Sequence, residues 1–115
     1  MIPESTEKAW QQVQAQIAQR YGVPSPSVEG ALFLIGLNEL GFCPEGNSRQ
    51  LKTDLIHLGA LVLLARAGYL RCIGRTEDGW PRWEGLENLP SWHPDEEKSL
   101  LLQELTRYFA EIWEL

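Results

Sequence analysis

Apolar positions from Leu51 to Leu70, LKTDLIHLGALVLLARAGYL, come to occupy almost every side of a helix. At about 100° per residue, Leu51, Leu55, Leu58, Val62 and Ala65 share one stripe, and Ile56, Ala60, Leu61, Leu63, Leu64 and Ala67 fill other faces. No charge interrupts Leu58 to Ala65. A helix apolar all round belongs in a core or a membrane. A membrane span needs roughly 20 apolar residues, and Asp54, His57 and Arg66 bound this run too closely. The pattern therefore predicts a central helix over 49–67, with Ser48 as its N-cap and Gly68 after its last turn. Lys52, Gly59 and Arg66, seven apart, form its expected solvent-facing line.

The same periodicity predicts three more helices. One covers 5–21, capped by Ser5 or Thr6, with Trp10, Val13, Ile17 and Tyr21 on one stripe and Gly22 at its end. Another covers 28–40, VEGALFLIGLNEL, between Ser27 and Gly41. Its glycines, Gly30 and Gly36, each cost about 1 kcal/mol relative to Ala, so they predict a close backbone crossing, with Gly36 near Gly59. The last covers 94–113. Pro94 opens it, Asp95, Glu96 and Glu97 fill its first turn, and Leu101, Leu105, Tyr108, Phe109, Ile112 and Trp113 make its buried face. Glu96, Glu97, Glu104 and Glu111 read as its solvated face.

Between 69 and 84 the period changes. YLRCIGR, the turn TEDG and WPRWE read as a β-hairpin, with Pro81 keeping the second strand at an edge. Residues 85 to 93 read as extended. The fold class is mainly α: a four-helix single domain over 1–115 with a small β-hairpin and an irregular Trp-rich strap.

Composition narrows the function classes. A chain of 115 residues with 43% hydrophobic residues supports a core without metal or disulfide. Net charge is -6, which argues against nucleic acid and anionic membrane as general partners. The distribution is uneven: residues 49 to 82 carry six Lys or Arg against three acids, and residues 83 to 115 two against eight. Such a bipolar chain self-associates, meets an acidic partner, or simply packs its basic segment on its acidic last helix. The start of the chain lacks a basic, apolar leader, and Cys43 and Cys72 make no disulfide framework, so free thiols in the cytoplasm are expected. A pairing of the two stays open.

FLIGLNELG, DLIHLGALVLLARAGYL and DGWPRWE, in this order, resemble a family of short uncharacterised bacterial proteins, mostly from Bacteroidetes, over about residues 9 to 113. The resemblance implies a stand-alone helical cytoplasmic protein and carries over no functional residue.

The chemistry centres on tryptophan. Trp80, Trp83 and Trp92 lie in the strap, and Trp10 and Trp113 complete five. Clustered indoles form binding surfaces for peptides, sugars or planar ligands; the plainer alternative is that they cap the core. Arg71, Arg75 and Arg82 are placed to stack on the rings or meet an anion, which makes these six strap and hairpin residues the candidate binding set. His57, three residues from Asp54, reads as structural, and His93 belongs to the turn before the last helix. Cys43 has no base or positive field to activate it, and Cys72 reads as a small buried residue. No catalytic constellation, metal-ligand spacing or phosphate loop is present, and no cofactor is expected. Three helices before a basic hairpin have the order of a winged-helix DNA binder, but the helix that would read bases is the most apolar one. The expectation is a non-enzymatic protein-interaction module that self-associates or meets another protein. The alternatives are a small-molecule or peptide binding module using 80–92, and the DNA binder.

Overall fold

The computed structural model describes residues 3–42, 44, 48–86 and 93–115. Along the chain it places α1 (Glu4–Tyr21), α2 (Val28–Leu40), α3 (Arg49–Arg66), β1 (Leu70–Arg75), β2 (Pro81–Gly85) and α4 (Pro94–Trp113). The described residues are thus mainly α, four helices and one antiparallel hairpin. No helix among the described residues is long and apolar enough to cross a membrane. Residues cluster into two compact units. One holds α1, the start of α2, and α4; the other holds the rest of α2, α3 and the hairpin.

In the first unit, α1 begins one residue earlier than expected. Pro3, at φ -59 and ψ 147, occupies the N-cap, and its carbonyl accepts the N–H groups of Thr6 and Glu7 at 3.0 and 3.1 Å. Neither Ser5 nor Thr6 caps, because the extended proline already turns the chain into the helix; Thr6 is instead buried. Val13 and Ile17 from α1 and Leu102, Leu105, Tyr108 and Phe109 from α4 supply the buried apolar groups. Each fully buried Leu or Phe contributes about 1.5–3 kcal/mol through removal from water. His93 caps α4, its Nδ1 accepting the N–H of Asp95 at 3.3 Å, and Pro94 fills the first position.

Two readings of α4 are corrected. Leu102 is buried, whereas Ile112 is 47% exposed. Glu104 is not solvated: it is 8% exposed and accepts from Arg107 Nη1 at 3.2 Å. The buried band is displaced toward Glu104 because α1 lies along one flank of α4. At the C-terminal ends Arg20 stacks 4.6 Å above the Trp113 ring, while Tyr21 is 55% exposed rather than continuing the α1 stripe.

In the second unit, α2 and α3 cross through their glycines. A Cβ on Gly36 would lie 2.9 Å from the Leu55 carbonyl carbon, and one on Gly59 2.9 Å from that of Leu32. Leu32 and Gly36 are therefore matched, in reverse order, with Gly59 and Leu55, so the helices run antiparallel. The expected solvent-facing line on α3 fails at Gly59, which is buried because the backbone of α2 rests on it. Leu55, Leu58, Val62 and Leu63 of α3 and Ile35 and Leu40 of α2 are also buried.

Local signals fix the ends of α3. Ser48 Oγ accepts the N–H of Leu51 at 3.1 Å. Beyond Ala67, Gly68 adopts φ +92; its N–H reaches Ala65 O and that of Tyr69 reaches Leu64 O, each at 3.0 Å. These two bonds are the Schellman closure, which requires a left-handed residue at Gly68. The chain turns directly into β1. Register runs from Leu70 opposite Gly85 to Arg75 opposite Pro81, with a bulge between Cys72 and Gly74.

A tryptophan groove between α3 and the hairpin

Along β2, Pro81 and Trp83 are half-buried, and Arg82 and Glu84 are exposed. Successive side chains of a strand point to opposite faces, so Pro81 and Trp83 share one face and Arg82 and Glu84 the other. Trp80 precedes the strand. Its N–H donates to Thr76 Oγ1 at 3.2 Å and its carbonyl accepts the Thr76 N–H at 2.8 Å, which closes the turn. Arg75 anchors this turn: its Nη1 donates to Gly79 O at 2.6 Å and to Leu40 O, at the end of α2, at 3.2 Å.

Trp80, Pro81 and Trp83 form one wall of an open groove of about 220 Å³. The other wall is Asp54, His57, Leu58 and Leu61. Those four positions are spaced i, i+3, i+4, i+7, one face of α3. Leu58 is buried at 3% exposure and Leu61 is half-buried, so this wall is apolar at its C-terminal half. At its N-terminal half it carries the exposed carboxylate of Asp54 and the exposed imidazole of His57. One oxygen of Asp54 accepts from Gln50 Nε2 at 2.9 Å, which steadies the carboxylate.

Of the residues singled out in the sequence, Trp80 and Trp83 come together here. Arg82 lies on the opposite face of β2 and does not line the groove. Arg71 pairs with Glu84 at 2.6 Å on that same face, and Arg75 is held by the two carbonyls. Trp92 and Cys43 lie outside the described residues. Cys72 is exposed, contrary to the buried reading, as is the whole of β1 beyond Leu70, because neither face of that strand is covered by another described element there. Asp54, His57, Leu58, Leu61 and Pro81 were absent from the candidate binding set. The signal available for them was the half-polar, half-apolar face at 54, 57, 58 and 61.

A second cavity, of about 280 Å³, lies in the α1–α4 unit against Ser5, Thr6, Gln103, Thr106 and Arg107. Its one cation, Arg107, is engaged by Glu104. Among the described residues no three His, Cys, Asp or Glu side chains converge as metal ligands.

No protein-family model, curated protein or solved structure matches this chain. The groove must therefore be interpreted from its own chemistry. Sites for drug-sized metabolites run from about 300 to 1,000 Å³. At about 220 Å³ this one suits a single side chain or a group of that size.

Proposed function

We propose that the chain is a cytoplasmic, non-enzymatic protein-interaction module whose Trp80–Trp83 groove receives one side chain of a partner protein. The supporting observation is that two half-buried indoles face a helix wall across an open space of side-chain size. Large aromatic surfaces in a partly desolvated cleft carry most of the energy of such contacts. The test is a ¹H–¹⁵N NMR titration with the N-acetyl amides of Leu, Tyr and Lys. Saturable shifts at the Trp80 and Trp83 indole N–H signals, with those of Trp10 and Trp113 unmoved, are expected. Indole signals that stay fixed with all three amides would end this reading.

Self-association is a second reading, favoured by a different surface. Tyr21, Val23 and Ile112 are 55%, 41% and 47% exposed in the α1–α4 unit. Sedimentation velocity across a wide concentration range tests it, and an unchanging monomer at high concentration counts against it.

A further inference from the structure

Two tryptophans and an aspartate share the lining of the groove, and that combination selects the charge of the ligand. Tryptophan attracts a cation over its face more strongly than the other aromatic side chains do. Asp54 adds a formal negative charge to the same lining. Among the described residues no Lys or Arg is part of that lining. The hairpin's own cations are directed elsewhere: Arg71 to Glu84, Arg75 to two backbone carbonyls, and Arg82 to the far face of β2. A neutral apolar occupant would strip water from the Asp54 carboxylate and return nothing to it. A cation of the same size uses that carboxylate as its counter-charge.

We propose that the groove takes an organic cation, the N-methylated ammonium or guanidinium head of a partner protein's side chain, with Trp80 and Trp83 against the head and Asp54 as counter-charge. This rests on the groove being a binding site. It goes beyond that reading by fixing the charge and chemical class of the ligand. His57, on the same wall, meets the alkyl stem or the adjoining peptide.

The test compares choline with its neutral isostere 3,3-dimethylbutan-1-ol by NMR on the full chain. Choline is expected to bind at least about tenfold more tightly, equivalent to about 1.4 kcal/mol. Asp54→Asn, at an exposed helix position, should weaken choline about fivefold and leave the alcohol unchanged. Trp83→Leu keeps an apolar side chain, removes the ring, and should likewise weaken choline selectively; a melting curve accompanies it. A peptide carrying one trimethyllysine should bind about tenfold more tightly than choline, since flanking peptide adds contacts. Equal affinity of peptide and choline overturns the assignment to a protein side chain. Equal affinity of choline and the alcohol, or an Asp54→Asn variant that binds choline as well as the parent, overturns the cation assignment while the groove stands as a site. Indole signals unmoved by choline, the alcohol and the N-acetyl amides remove the site and the inference together.

Discussion

Replacing Gly59 with alanine probes a close backbone contact between α2 and α3. The new Cβ would sit 2.9 Å from the Leu32 carbonyl carbon and 3.1 Å from its Cα, where ordinary contact begins at 3.4 Å. The obstacle is helix backbone, which no rotamer change can move aside. The helices must part by about half an ångström to clear the carbon, and by more to clear the oxygen. A gap of 0.5–1 Å forfeits a quarter to a half of each dispersion well. Across about 40 atom pairs at about 0.15 kcal/mol each, that loses about 2 kcal/mol, and residual strain adds about 1 more. Alanine returns about 1 kcal/mol through its better helix propensity. The net loss is about 2 kcal/mol, or about 8 °C in melting temperature for a chain of this size. Urea and thermal unfolding followed by circular dichroism measure it. Gly36→Ala should cost a similar amount against Leu55, and the double variant should cost less than the sum, since the first change has already parted the helices. Gly30→Ala is the control on the same helix. Its Cβ would meet the Ser27 hydroxyl at 3.3 Å, a side chain rather than helix backbone, and the variant should lose far less stability than Gly59→Ala. A Gly59→Ala protein that melts at or above the parent would refute the tight crossing.

Ser48→Ala removes the bond to the Leu51 N–H and should cost about 1 kcal/mol by urea unfolding, whereas Ser48→Asp should cost little. Arg75→Met frees the hairpin from Leu40 O and Gly79 O, and amide exchange in β1 and β2 should accelerate about tenfold while that in α3 is unchanged. A short DNA duplex at low salt should show no mobility shift with the protein; a salt-sensitive shift would revive the winged-helix reading.

What could be read from the sequence was whatever is decided locally. Ser27, Ser48 and Pro94 start their helices where expected, and Gly41 and Gly68 close theirs, because a cap or a left-handed turn depends on a few neighbouring residues. The paired glycines were also legible, since an unfavourable residue inside two apolar helices needs a compensating contact. Properties set by a second element were less accessible. Tyr21 and Ile112 fit their apolar stripes yet are exposed, and Glu104 belongs to a polar series yet is buried, because the angle at which α1 meets α4 decides which flank is covered. The groove divides the same way. Its tryptophans were found by their clustering, but the wall they face comes from α3 and depends on how the hairpin folds back on that helix. Arg82, next to Trp83 in sequence, does not line the groove, because alternation along β2 sends it to the other face.

The bulge in β1 bears on how the protein behaves in a crowded solution. A two-stranded ribbon has two outer edges, each a potential template for a strand from another molecule. On the β1 side the bulge at Ile73, next to Gly74 at φ +135, breaks the regular row of donors and acceptors that a new strand would need. On the β2 side Pro81 contributes no donor. Ile73 can therefore stand 50% exposed on a solvent-facing strand without making the hairpin a seed for sheet growth. Ironing out the bulge by deleting Ile73 would give a flatter, more regular edge, with aggregation as the foreseeable cost.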